Sequence, residues 1–213
     1  MDYGLKMRDL ISKINNLKKT SVKKIIDEKL RIFEGFNKSD KKSVFSELCF
    51  CILTANYRAD ASIKIQSVLK DEFLSLPQKK LEEKLRLLGH RFPRKRAEYI
   101  VEARKELDEL MIVLNRMNEF YIRDWLVKNI KGIGYKEASH FLRNIGFENV
   151  AIIDFHIIDI LVRNKIIERP KTLTKKVYLE IEKVLESIAK KTKLSLGELD
   201  LYLWFLETNK VMK

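Results

Sequence analysis

Two residues of opposite charge, Lys136 and Asp154, lie 18 positions apart in a chain of 213 residues and could perform nucleophilic chemistry together. Lys136 comes two residues after Gly134, where a helix is expected to begin, and the positive end of the helix dipole disfavours a protonated ammonium. A neutral amine is a nucleophile that can form a Schiff base. Asp154 stands between Ile153 and Phe155, so its carboxylate is expected to be half-desolvated and able to stabilise nearby positive charge. Such a pair suits chemistry in which a sugar becomes cationic.

Each of these residues also has an ordinary structural interpretation. By position alone, Lys136 is one more solvated lysine among the 43 lysines and arginines of the chain. Asp154 opens an apolar helix and is most simply its N-cap. Capping and electrostatic stabilisation are compatible, so both interpretations of Asp154 stay open.

A glycine turn precedes the lysine. Gly132 and Gly134, flanked by Ile130 and Ile133, separate two predicted helices in the order helix, apolar-x-Gly-x-Gly turn, helix, which is the helix-hairpin-helix pattern. Glycine adopts backbone angles that side chains forbid, and a bare backbone can bring its N–H groups against a phosphate. Contacts of this kind position a duplex without reading its bases. The alternative is an ordinary αα-hairpin with a glycine turn.

The elements that must position these residues are helical. Apolar residues recur at helical spacing almost throughout, which predicts about eleven helices and an all-α fold. The run 150–153 is apolar, but periodicity does not assign it to a helix or a strand. Cys49 and Cys51 are too few to bind zinc or an iron–sulfur cluster and are interpreted as buried hydrophobes, so no metal ligands are predicted.

The net charge of +13 predicts a surface that attracts polyanions, and nucleic acid is the leading candidate. The alternative is a lysine-rich background unrelated to binding. Neither a transmembrane stretch nor a secretory signal is recognised, so we expect no membrane partner and a cytoplasmic, nucleoid-associated protein.

The sequences Gly-Ile-Gly-Tyr-Lys-Glu-Ala-Ser and Ile-Ile-Asp-Phe-His together resemble the helix-hairpin-helix DNA glycosylase superfamily. The resemblance implies that Lys136 and Asp154 are the catalytic pair and that His156 has a role in packing or in helix support. The segment Leu-Thr-Ala-Asn-Tyr-Arg ending at Arg58 is similar to the family's segment that wedges into DNA. Asn56 would fill the gap left by the flipped base.

Within that superfamily the chain resembles the archaeal type-2 8-oxoguanine DNA glycosylases. It lacks the cysteines of the endonuclease-III-like branch and the length for an N-terminal β-rich domain, and members acting on alkylated bases generally lack the lysine. The resemblance implies two lobes with the active site in the cleft between them. One lobe would be a helical barrel over 40–147 with the hairpin at about 120–146, and the other would combine 1–39 with 148–213.

The resemblance further implies a base pocket. Trp204 would stack on a flipped purine, with Phe92 and the terminal Lys213 beside it. The alternatives are core packing for Trp204 and a frayed end for Lys213.

Exposed cations are expected to bind phosphate. The run 91–96 contains four cations, which could equally form a solvated charged face. The residues assigned to DNA binding are Gly132, Gly134, Lys131, Asn56, Arg58, Arg91 and Arg94.

We therefore predict an enzyme that excises 8-oxoguanine from double-stranded DNA through a lysine Schiff base and cuts the strand by β-elimination. No cofactor is expected, although a monovalent cation on the hairpin carbonyls would be structural, and the protein is expected to be a monomer. Two alternatives stay open: a glycosylase for another oxidised base, and a helix-hairpin-helix protein that binds DNA without catalysis.

Overall fold

The computed structural model describes residues 3–212, and it describes side chains from residue 7 onward. This part of the chain contains helices and no strand, which confirms the predicted all-α class. In chain order the helices are α1 (Tyr3–Leu17), α2 (Val22–Glu34), α3 (Lys41–Thr54), α4 (Ala59–Leu69), α5 (Glu72–Ser75), α6 (Gln78–Leu87), α7 (Pro93–Ala103), a 3-10 turn (Arg104–Glu106), α8 (Leu107–Arg116), α9 (Glu119–Asn129), α10 (Tyr135–Asn144), α11 (Phe155–Arg163), α12 (Lys175–Thr192) and α13 (Leu196–Thr208).

The chain divides into two compact units. One is continuous and spans Phe36–Ile145, whereas the other combines residues 3–35 with 146–212. None of the described helices is both long and apolar enough to cross a membrane.

Helix α3 is the core of the continuous unit. It is apolar on nearly every side because α4, α5, α7, α8 and α10 all pack against it. Asp40 caps its N-terminus by accepting hydrogen bonds from the backbone N–H groups of Lys42 and Ser43. Cys49 and Cys51 are fully buried free thiols in this helix, which confirms their interpretation as hydrophobes.

In the other unit, α13 packs against α1, α2, α11 and α12. The apolar run 151–153 precedes α11 and is neither helix nor strand. Its backbone is instead bound by side chains of α12. The Glu182 carboxylate accepts from Ala151 N (2.8 Å), and the Tyr178 hydroxyl accepts from Ile153 N (3.1 Å) and donates to Ala151 O (2.7 Å). These hydrogen bonds replace a sheet ladder and fix the segment that leads into Asp154.

Candidate catalytic and DNA-binding site

The hairpin turn connects α9 to α10 and is anchored by buried Ile130 and Ile133. Gly132 has a φ of +81°, and a Cβ atom there would lie 2.5 Å from Cδ2 of Tyr99 on α7. Both the left-handed backbone and the close approach of the Tyr99 ring exclude a side chain. The turn is therefore pressed against α7 at its glycine.

Gly134 behaves differently from Gly132. Its φ of −99° is open to any residue, so the expectation that both glycines supply forbidden backbone angles is wrong for this one. The N–H of Gly134 donates to Oε2 of Glu137 at 3.3 Å, which places a carboxylate of the protein itself at the N-terminus of α10. A phosphate on this amide would have to replace Glu137.

Lys136 is the second residue of α10 and is half-buried. Ala138 and Ser139, the two residues after Glu137, are buried in the core of the unit, whereas Lys136 is partly exposed. Among the described residues of its own unit, its Nζ atom makes no hydrogen bond and no ion pair. The amine is therefore available for a reaction.

Asp154 is the N-cap of α11, as the capping interpretation predicts. Its Oδ1 atom accepts a hydrogen bond from Ile157 N at 3.0 Å. The residue is half-buried. Its neighbour Ile153 is buried, but its other neighbour, Phe155, is 64% exposed, so only one of the two flanking apolar residues is withdrawn from water. One oxygen of the carboxylate is thus committed to the cap and the other can act on a nearby charge.

Comparisons with known proteins place these residues in a family. The family model described as 8-oxoguanine DNA glycosylase matches residues 26–194. A relative from Methanocaldococcus jannaschii, named 8-oxoguanine DNA glycosylase/AP lyase, is 54% identical over 96% of this chain and 99% of its own. A relative of the same name from Korarchaeum cryptofilum is 51% identical over 96% and 98%. The chain belongs to the 8-oxoguanine DNA glycosylase family.

Solved structures of this family have the same fold. The M. jannaschii 8-oxoguanine DNA glycosylase matches with a TM-score of 0.94, 52% identity and full coverage of both chains. The Thermotoga maritima 8-oxoguanine DNA glycosylase matches with a TM-score of 0.91 and 41% identity, over 97% of this chain and all of its own. Endonuclease III, at 20% identity, 87% and 86% coverage and a TM-score of 0.56, shares the fold alone. The predicted helix-hairpin-helix glycosylase architecture is thereby confirmed.

In this chain, the three residues predicted for the base pocket have different surroundings. Trp204 on α13 is half-buried and meets the ring of His156 edge to face, with centroids 4.9 Å apart. Its indole nitrogen is buried without a hydrogen-bond partner among the described residues. Phe92 precedes α7 in the other unit and is half-buried, with the Arg91 guanidinium 4.9 Å from its ring centroid. Lys213 lies outside the described residues.

The turn that was predicted to wedge into DNA follows the end of α3. Asn56 is exposed and has a φ of +55°, a conformation that asparagine tolerates better than most residues. Arg58 is also exposed, but its guanidinium makes two hydrogen bonds to the Asp60 carboxylate, at 3.0 and 2.5 Å. Hydrogen bonding to Arg58 lowers the pKa of Asp60, so this pair is ionised in the free protein.

The remaining predicted phosphate contacts differ in availability. Arg91 and Arg94 are exposed cations, whereas Lys131 in the hairpin turn pairs with Glu102 of α7 at 3.0 Å. Hydrogen bonding to Glu102 raises the pKa of Lys131. In the free protein the Lys131 ammonium is therefore already paired with a carboxylate.

The structure corrects the interpretation of Arg96, which belongs to the basic run 91–96. It is neither solvated nor available to phosphate, because it is buried and donates to the Ala55 carbonyl. Sequence reasoning also missed His90, Glu102 and Glu137. A glutamate three residues after Gly134 was a readable capping-box signal, but nothing local marked the other two.

Proposed function

We propose that this protein excises 8-oxoguanine from double-stranded DNA and then cuts the strand at the resulting abasic site. The observation that carries the proposal is the half-buried residue Lys136 at the start of α10, directly after a turn that needs glycine at Gly132. The names of its relatives support the activity, and a relative 54% identical to this chain has been solved in complex with a 15mer DNA containing 8-oxoguanine, at a TM-score of 0.93.

In the proposed reaction the lesion is extruded from the helix stack, at a cost of a few kcal/mol. The Lys136 nitrogen attacks the anomeric carbon through its lone pair, so a C–N bond to lysine forms while the bond to the base breaks and the base leaves with a proton. Asp154 stabilises the cationic sugar through the carboxylate oxygen that does not cap α11. The aminal opens to a Schiff base. Loss of a proton from the neighbouring sugar carbon then expels the 3′ phosphate.

DNA binding would use the hairpin and the exposed cations of the continuous unit. We propose that the turn at Gly132 and Gly134 contacts phosphates through main-chain N–H groups and that Arg91, Arg94 and Lys131 add charge contacts. Asn56 would occupy the gap left by the extruded base, with Arg58 beside it. Phe92, Trp204 and Lys213 are proposed to hold the base. Since Glu102, Asp60 and Glu137 occupy three of these groups in the free protein, binding is an exchange of carboxylates for phosphates.

The proposed chemistry needs no metal or organic cofactor, because lysine supplies both the nucleophile and the electron sink. Main-chain carbonyls of the hairpin turn would suit a monovalent cation with a structural role. We further propose that the unit Phe36–Ile145 corresponds to the predicted barrel lobe and that the protein acts as a monomer on cytoplasmic, nucleoid DNA.

Borohydride trapping on a duplex containing 8-oxoguanine tests the lysine. We expect a covalent protein–DNA adduct with the native chain, none with Lys136→Gln, and an undiminished adduct with Lys128→Gln, which removes an exposed lysine from α9. An adduct formed by Lys136→Gln would show that another amine is the nucleophile. If the native chain binds DNA but neither cuts nor traps it, the protein is a binding module only.

The role of Asp154 can be separated from its capping role, because asparagine caps helices about as well as aspartate. Asp154→Asn should keep the stability of the native protein and lose base excision. Asp154→Ala should lose both. If Asp154→Asn excises the lesion at the native rate, the carboxylate acts only as a cap. A parallel panel of duplexes with oxidised pyrimidines tests the substrate, and equal cleavage of those lesions would overturn the specificity for 8-oxoguanine.

A further inference from the structure

The turn at residues 55–58, which follows α3 and is called the Asn56 turn below, is held by side chains from a distant part of the sequence. The last carbonyls of α3 have no helical partner. The Leu53 carbonyl is 3.0 Å from Nε2 of His90, and the Ala55 carbonyl accepts from the Arg96 guanidinium. Tyr57 closes the arrangement by donating its hydroxyl to the Gly89 carbonyl at 2.9 Å. Each of these interactions joins residues 53–57 to the segment 89–96.

His90 contributes through both ring nitrogens. The backbone N–H of Phe92 donates to Nδ1 at 3.0 Å, so the proton of the neutral ring is on Nε2 and is donated to Leu53. The side chain is 4% exposed, burial lowers its pKa, and its ring packs against Tyr57 with centroids 4.2 Å apart. A single ring therefore connects the Asn56 turn to the backbone of Phe92.

Arg96 connects the same turn to the hairpin. Its guanidinium lies 5.9 Å from the ring centroid of Phe92 and 5.8 Å from that of Tyr99. The Tyr99 ring is the surface against which Gly132 is pressed. Removing Arg96 would leave the Ala55 carbonyl without its hydrogen bond in a buried position.

We infer that His90 and Arg96 are positioning residues that hold the Asn56 turn in the shape required to fill the gap beside an extruded base. They do so from the inside of the protein, without touching DNA. The left-handed backbone of Asn56 is consistent with this role, because a residue with a side chain keeps this conformation where its neighbours determine it. The inference rests on the proposed function, since it concerns the extrusion step of that reaction.

Replacements of His90 can separate its two hydrogen bonds. Glutamine can place a donor near the Leu53 carbonyl, asparagine can place an acceptor near the N–H of Phe92, and leucine supplies neither. Single-turnover excision of 8-oxoguanine should fall about tenfold in His90→Leu, as expected for one lost buried hydrogen bond. His90→Gln should recover the rate to within about threefold, whereas His90→Asn should not, because of the two His90 hydrogen bonds only the one to Leu53 reaches the turn. Recovery by asparagine alone would overturn the inference.

A double-mutant cycle with Asn56→Ala decides whether His90 acts through the turn. If it does, His90→Leu should slow excision by less than about twofold once Asn56 is already alanine. Fluorescence of 2-aminopurine placed beside the lesion should show slower base extrusion in each single variant. The inference would be overturned if the effects of His90→Leu and Asn56→Ala on the excision rate multiply in the double variant. It would also be overturned if Asn56→Ala excises at the native rate. A native protein with no excision at all would instead refute the proposed function.

Arg96 has a matched control on the same helix. Arg96→Met and Arg94→Met each remove one positive charge, but only Arg96 is buried against the Ala55 carbonyl. Arg94→Met should weaken binding to damaged and undamaged duplexes alike. Arg96→Met should in addition slow excision about tenfold at saturating DNA. Equal effects of the two variants would show that Arg96 contributes charge only.

Discussion

Replacement of Gly132 by alanine should destabilise the protein by about 2–5 kcal/mol, because two separate costs meet at this position. A residue with a side chain at a φ of +81° loses about 1–2 kcal/mol relative to glycine. The new Cβ would also lie 2.5 and 2.9 Å from two atoms of the Tyr99 ring, so the ring or the hairpin must move. Overpacking of this kind costs about 1–3 kcal/mol.

Two other glycines isolate these costs. Gly89 has nearly the same backbone, with a φ of +79°, but a Cβ there would meet nothing within 4 Å. Gly89→Ala should therefore lose only the backbone share of about 1–2 kcal/mol. Gly134 has an ordinary φ, and its Cβ would lie 3.3 Å from one flexible oxygen of Glu137, so Gly134→Ala should lose less than about 1 kcal/mol.

Urea unfolding of the three variants measures these differences, since a change in midpoint at constant slope reports stability. From the most to the least stable, the order should be Gly134→Ala, Gly89→Ala and Gly132→Ala. Measured against the Tyr99→Ala single variant, Gly132→Ala should cost only the backbone share, so that the packing share is recovered once the contact is removed. The reasoning is refuted if Gly132→Ala is no less stable than Gly89→Ala, or if Tyr99→Ala gives no recovery.

Three further predictions follow from charges and burial. Because burial lowers the pKa of His90, its neutral form contributes stability that is complete above about pH 6.5 and is lost as the pH falls through its folded pKa. Urea unfolding at several pH values should show that His90→Gln removes this part of the dependence of the free energy of unfolding on pH, which is at most about 1.4 kcal/mol per pH unit. An unchanged dependence on pH would contradict the prediction. Glu102→Gln should free Lys131, tighten binding to undamaged duplex and steepen its salt dependence by up to about one unit, as titrations at several salt concentrations would show. Since burial raises the pKa of the Cys49 thiol and Cys51 is equally buried, neither should react with a thiol reagent until the protein unfolds, and reaction in native buffer would contradict this.

Some of the candidate site was readable from the sequence because its signals are local. A helix cap such as Asp154 depends on a few adjacent residues, and Asp154 caps α11 as predicted. Gly132 needs its glycine for a turn that spans only a few residues. The all-α class follows from apolar periodicity, which is a property of each helix by itself. These features are encoded over distances of one to four residues, where backbone geometry leaves few choices.

Other features could not be read in this way, because they join residues far apart in the chain. In sequence Arg94 and Arg96 are two members of one basic run, yet one is exposed and the other is buried under the Asn56 turn. Lys131 meets Glu102 across 29 residues, and His90 meets Leu53 across 37. Nothing within a helix turn of either residue predicts its partner.

By itself, therefore, the sequence determined the helices, their caps, the glycine turn and the candidate lysine and aspartate, since each depends on its near neighbours. Only the tertiary structure decided which cations face solvent, which carboxylates occupy the candidate phosphate contacts, and which side chains hold the Asn56 turn. The physical reason is that helix packing determines burial and long-range pairing. On α7, Arg94 is a surface charge, whereas Arg96 is a buried hydrogen-bond donor.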